Sequence, residues 1–301
     1  MADRNEKTIV LHSLNENNHL IDKSIIQAIL RKYSVDTPIK NIKLYQTALV
    51  HSSYSLDDAE HTPADEDPLT NVKNVVPFQQ TSSECLEFIG DSILGAVVTH
   101  YLATRYPETR EGWLTTTKGK LVCSKGLYHL AKEIGLEQHI LMSKEFEEKG
   151  GRNNRATLED AFESLIGALF TDIEPDMNDI SDLKKSNGSE GFRVCQQFIV
   201  NVLESAVDFA HVINHDSNYK HKLMRHYQTH FNGAHPKYVS ITDANLGTGK
   251  RFKEGVYGYD GTSIIGYGVS NKKTQAQQLA SKNALMYLGE HVDSDSESDA
   301  D

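Results

Sequence analysis

Two apolar stretches of this chain carry acids at spacings that can do chemistry. In Glu84-Cys85-Leu86-Glu87-Phe88-Ile89-Gly90-Asp91-Ser92, carboxylates fall at 84, 87 and 91. In Thr157-Leu158-Glu159-Asp160-Ala161-Phe162-Glu163-Ser164, Asp160 and Glu163 form a second pair three residues apart. On a helix, spacings of three and four place such acids one above another on a single face. Like charges held that closely repel, and apolar surroundings strengthen the repulsion. A solvated acidic face is one way to relieve it. A bound cation is the other. Hard divalent ions such as Mg²⁺ or Mn²⁺ take oxygen ligands and keep several of their waters. A carboxylate pocket with open water positions suits metal-assisted hydrolysis of a phosphodiester.

The elements that must position these acids are helical. Ile21 to Tyr33 and Ile42 to Tyr54 show apolar residues at helical period, and a long helix is expected from Glu84 to Arg105, ending near Pro107. Trp113 to Leu136 continues the pattern, Gly150 to Arg155 makes a loop into the second acidic helix, and a further helix is expected over Phe192–Phe209. Past Asn218 the period changes. A short helix (Tyr219–Phe231) precedes three strand-like runs, Lys237–Thr242, Phe252–Tyr259 and Thr262–Val269, and a closing helix, Lys272–Leu288. The expected organisation is a flexible arm at 1–20, an all-α domain at 21–212 with an acidic insertion at about 55–83, an α-β-β-β-α module at 213–289, and an acidic disordered tail at 290–301.

Charge divides along the same lines. The chain has 301 residues and a net charge of −11. Asp57, Asp58, Glu60, Asp65, Glu66 and Asp67 concentrate negative charge in the insertion, and Asp293 to Asp301 concentrate it in the tail. Residues 217–289 instead hold ten lysines and arginines against three acids, which points to a polyanionic partner for that segment. Cys85, Cys123 and Cys195 form no CxxC pair and read as core thiols in a reducing compartment. No apolar run approaches the length of a membrane span and the first residues lack a signal-peptide core, so an intracellular protein, nuclear or cytoplasmic, is expected.

Four stretches in order make the chain resemble the ribonuclease III family. Glu84 to Gly95 is similar to the family signature, and Ala48-Leu49-Val50-His51-Ser52-Ser53-Tyr54 to a helix upstream of it. Glu111-Gly112-Trp113-Leu114-Thr115 resembles the EG-x-LT element, and Gly150-Gly151-Arg152 through Gly167 the second acidic helix. The segment 217–289 resembles the double-stranded RNA-binding domain that follows the nuclease domain in that family.

The resemblance implies an Mg²⁺-dependent (or Mn²⁺-dependent) endoribonuclease that cuts double-stranded RNA as a homodimer, leaving 5′-phosphate and 3′-hydroxyl ends with two-nucleotide 3′ overhangs. Glu87, Asp91, Asp160 and Glu163 then stand where the family holds its metal-binding catalytic carboxylates. Glu84 would orient the site or hold a metal-bound water, Glu111 would approach the partner subunit's valley, and Phe88, Ile89 and Ile93 would be part core and part dimer interface. Lys222, Arg225, Lys250, Lys272, Lys273 and Gln277 are the residues expected to hold RNA. No organic cofactor and no membrane partner is expected. Departures concentrate in the C-terminal module: Met224 and Arg225 replace a Gln-Glu pair, and Ala244 to Lys250 replaces a Gly-Pro-x-His loop. The alternative is a non-catalytic protein of the same fold that only binds structured RNA; loss of cleavage would let the carboxylates drift, and all four are present.

Overall fold

The computed structural model describes residues 14–56, 75–174, 189–214, 218–242 and 251–290. The chain divides into two compact units, one through Asp208 and one from Phe209, a boundary a few residues earlier than the pattern change in the sequence.

The first unit is all helical. Its elements are α1 (Lys23–Lys32), α2 (Ile42–Thr47), α3 (Glu84–Arg105), α4 (Glu111–Leu121), α5 (Ser124–Glu133), α6 (Lys144–Glu148), α7 (Arg155–Ile173) and α8 (Ser189–Ala206). The segment expected as one helix from Ile42 to Tyr54 stops at Thr47, because the chain must turn there to pair Val50 with Leu141 and to seat Tyr54 beneath Phe78. The helical stretch from Trp113 to Leu136 is two helices, broken at Val122-Cys123.

The core is built on α3 and α7. Leu94, Val97, Val98 and Leu102 of α3 are buried, as are Phe162, Leu165, Ile166 and Leu169 of α7. By length and composition alone α3 could cross a membrane, with a mean hydropathy of 1.2. Its apolar stripe instead faces other helices, and Glu84, Glu87 and Asp91 occupy its first two turns.

Two sequence expectations meet the structure differently. Cys195 is buried and donates to the Ile166 carbonyl, but Cys85 and Cys123 are exposed, so only one cysteine is a core thiol. Cys85 is flanked by Glu84 on the solvent side of α3, and Cys123 sits in the break between α4 and α5, where neither is carried inward. The end of the arm, in turn, is anchored. Leu14, Asn15 and Asn18 are buried, and the Asn18 amide makes a two-way bond with Met142, donating to its carbonyl at 2.9 Å and accepting from its N–H at 3.2 Å.

The second unit holds α9 (Phe209–Asn214), α10 (Tyr219–His230), an antiparallel sheet of β1 (Tyr238–Ser240), β2 (Phe252–Tyr257) and β3 (Ile264–Ser270) in that order, and α11 (Lys273–Tyr287). Both long helices cover one face of the sheet, over Leu223, Tyr227, Val256, Ala284 and Leu285. β3 lies so near α11 that a β-carbon on Gly268 would fall 1.9 Å from the Ala276 carbonyl oxygen. This is the α-β-β-β-α module expected from the sequence.

Candidate active site

The acidic helices meet because their backbones touch. A β-carbon on Gly90 would lie 1.8 Å from the Glu163 carbonyl oxygen, and one on Gly167 would lie 2.0 Å from the Leu86 carbonyl oxygen. Glycines on both sides let α3 and α7 cross with no side chain between them. The start of α3 is pinned by the Ser83 N–H, which donates to Val50 O at 3.0 Å. The buried Ser164 hydroxyl reaches back to Ser83 O.

That crossing brings Glu87, Asp91, Asp160 and Glu163 into one electrostatic field. Burial raises the Glu87 pKa above the ordinary carboxylate value, and the charges of Glu84, Glu159 and Asp91 raise it further. Asp160 is pushed up to about 7, by burial first and then by Glu87 and Glu159. Glu163, only 8% exposed, is pushed up to about 8 by burial and by the charges of Asp91, Glu159, Glu87 and Asp160. Among the described residues none of the four is paired with a basic side chain. Burial and neighbouring like charges, with no basic partner to offset them, therefore keep Asp160 and Glu163 protonated near neutrality.

Oxygen donors in this state fit a hard divalent cation, whose charge favours the ionised carboxylates. Among the described residues no three His, Cys, Asp or Glu side chains already converge as ligands. The donor chemistry fits an ion that keeps part of its water shell.

Glu84 is exposed and lines a cavity of about 60 Å³ together with Glu87, Asp160, His51, Ser52 and Thr157. Glu111, the first residue of α4, is exposed and accepts from the Thr115 hydroxyl at 2.7 Å; it is not among the charges that act on Glu87, Asp160 or Glu163. Two residues at the site escaped the sequence reading. Glu159 acts on three of the four carboxylates, and adjacent acids in one turn gave no reason to prefer Asp160 alone. His51 lies against the acidic cavity, stacked on Phe146 at 4.1 Å, with its pKa lowered by burial. Its place in the Ala48–Tyr54 motif was the available signal.

A family model described as ribonuclease-III-like matches residues 41–174, the span that contains both acidic helices. The chain is 30% identical over 245 residues to the ribonuclease 3 of Chlorobium chlorochromatii (strain CaD3), covering 81% of this chain and 84% of that protein. It is 30% identical over 263 residues to the ribonuclease 3 of Syntrophotalea carbinolica, covering 87% of this chain and 97% of that one. The chain belongs to the ribonuclease III family. It is an endoribonuclease of that family, as its motifs implied. A protein of Acanthamoeba polyphaga mimivirus named as a probable ribonuclease 3 is 28% identical, and this chain spans 46% of its length. The crystallised ribonuclease III nuclease domain of Campylobacter jejuni aligns with 62% of this chain and 95% of its own at 23% identity, with a TM-score of 0.43.

In the second unit the basic residues gather where two helices begin. The Lys220 N–H donates to Gln278 Oε1 at 2.9 Å, which joins the first turn of α10 to the first turns of α11. Lys272 and Lys273 are exposed at the start of α11, Arg225 is exposed on α10, and Lys222 is half-buried over the Tyr219 ring. Gln277 is engaged at both ends of its amide, accepting from Lys220 and donating to Glu254. Lys250 lies outside the described residues. His226 and His230, at metal-pair spacing, stack at 4.2 Å, and His226 Nδ1 bonds Glu290 at 2.7 Å.

Proposed function

We propose that this chain cleaves double-stranded RNA as a homodimer, using Mg²⁺ or Mn²⁺ held by Glu87, Asp91, Asp160 and Glu163. The observation that carries the reading is the glycine-lined crossing of α3 and α7, which gathers these four acids and leaves their charge unbalanced. A divalent ion held there would lower the pKa of a bound water and offset charge on the leaving oxygen. The protein's own part is to hold oxygen donors on a rigid helix pair and to keep basic side chains away from them. Glu84 and His51 border the same cavity.

The dimer reading rests on Phe88. It is 77% exposed on the signature helix, in the segment that the resemblance gives to the dimer interface, and a second copy would cover it. Glu111 then serves the partner's site. Two sites across a duplex would each cut one strand, giving 5′-phosphate and 3′-hydroxyl ends and two-nucleotide 3′ overhangs. The C-terminal module would hold the duplex through Lys222, Arg225, Lys272 and Lys273 by phosphate and 2′-hydroxyl contacts.

The test is Glu163→Gln with a long RNA duplex. Mg²⁺-dependent cutting should vanish while gel-shift binding stays near the parent level. Cutting at the parent rate would remove the four-acid assignment.

A further inference from the structure

One buried charge in the second unit has no role in the reading above. Glu254 on β2 is 1% exposed, on the sheet face that the helices cover. Its register partner Ser240 on β1 donates a hydroxyl to Oε1. Gln277 of α11 donates to Oε2 at 2.9 Å, and Lys273 Nζ stands 3.9 Å from Oε1. Burial opposes its ionisation, but the bonds from Ser240 and Gln277 and the charges of Lys273 and Lys220 outweigh it and hold its pKa below the usual value.

The network continues to α10. Gln277 presents its carbonyl to Lys220 Nζ at 2.7 Å, so Glu254 fixes the amide and the amide fixes the lysine. Lys220 also lies over the Tyr238 ring at 5.0 Å, and Tyr238 bonds Ser281 of α11 at 2.6 Å. An apolar side chain would fill this position more cheaply, since buried ion pairs seldom outperform hydrophobic residues of similar volume. The bonds it accepts stabilise the fold, and they also tie two lysines to one buried point. It lies beneath the meeting ends of α10 and α11, where the basic side chains are gathered.

We propose that Glu254 is a positioning residue for duplex RNA. Through Gln277 and directly, it holds Lys220 and Lys273 at a set separation, prepared for two backbone phosphates. The proposal rests on the reading that the C-terminal module holds duplex RNA. Lysines fixed in advance lose less freedom on binding, which is the general benefit of preorganisation.

The sign of one substitution separates positioning from simple charge. Glu254→Gln keeps the shape and removes one negative charge from the module, so a purely electrostatic role predicts tighter binding. Positioning predicts weaker binding. The experiment uses the full chain in EDTA, titrated onto a labelled RNA duplex longer than the ~16 base pairs one such module spans. The expected result is a loss of roughly 3- to 10-fold in affinity and a salt dependence of log K shallower by roughly one unit, the share of one phosphate contact. Unchanged or tighter binding, or an unchanged slope, overturns the proposal. A double variant, Lys222→Ala with Lys272→Ala, removes two of the lysines expected to hold RNA, both outside the network. If it binds as the parent does, the module does not hold RNA and the underlying reading fails instead. If Glu254→Gln unfolds the second unit by circular dichroism, Gln277→Met breaks the link to Lys220 without a change of charge. A shallower slope then supports positioning. Weaker binding with the parent slope marks a direct contact by Gln277, and unchanged binding marks no role; either overturns the proposal.

Discussion

Gly90 packs against the backbone of Glu163, with the site of its missing β-carbon 1.8 Å from the Glu163 carbonyl oxygen. One of the four clustered acids is thus positioned by a residue with no side chain, on the helix that carries two others. The neighbour is main chain inside a helix, so it cannot rotate away.

Gly90→Ala should therefore force α3 and α7 apart. Overpacking a tight core contact costs ~1–3 kcal/mol and more where backbone must move. Urea unfolding should show the loss, and cutting should fall further than the folded fraction, because all four acids are displaced. Gly167→Ala, 2.0 Å from the Leu86 carbonyl oxygen, should behave alike. Parent-like stability in both would show that the helices do not cross this closely.

Stability without metal should depend on pH with an unusual sign. Asp160 and Glu163 keep their protons up to about 7 and about 8 when folded. The unfolded chain releases them near ~4, so the folded state binds more protons between these limits. Their stabilising contribution is complete below that lower value and is lost as pH rises through the folded values. In EDTA the urea midpoint should fall between about pH 5 and about pH 8.5, and added Mg²⁺ should restore most at the upper end, where it displaces protons. Glu163→Gln should flatten the profile. A midpoint that rises with pH in EDTA, and in the parent alone, would count against the shared field.

Phe88→Lys tests the dimer. The ring is 77% exposed in the single chain, so its loss should leave monomer stability within ~0.5 kcal/mol. Sedimentation at micromolar concentration should shift from dimer to monomer, and duplex cutting should be lost with it. A parent that sediments as a fully active monomer would end the two-site geometry.

Arg152 should prove to be a structural keystone next to the site rather than part of it. Its guanidinium donates to Ile140 O at 2.8 Å and to Asn18 Oδ1 at 3.1 Å, and it pairs with Glu147. Arg152→Ala removes these bonds and the charge that balances the half-buried Glu147, and should cost ~2–4 kcal/mol by urea unfolding. Asn18→Ala should cost less, ~1–2 kcal/mol, since only neutral bonds to Met142 and one to Arg152 are lost. Cutting per folded molecule should stay near the parent value in both.

Features with short-range patterns were legible in the sequence. The acids at 84, 87, 91, 160 and 163 repeat at helical spacing, and the change to strand-like runs after Asn218 marks the second unit. Features that depend on distant partners were not. Asn15 and Asn18 read as polar arm residues because their partner, Met142, lies more than a hundred residues away. Cys85 sits in an apolar string yet faces outward, since α3 buries only the residues turned toward its neighbours. Glu254 lies in a strand run where an acid ordinarily faces water, and only the register with Ser240 and the cover of α11 show it buried.

By itself, the sequence determined which side chains were available, their order along two helices, and the family to which they belong. Local periodicity and residue type suffice for that. Which acids share one field, which cysteine is buried and which glutamate lies beneath the lysines were decided by tertiary structure alone. Each depends on how closely two backbones approach, and at Gly90 and Gly167 that approach is set by atoms the residues do not have.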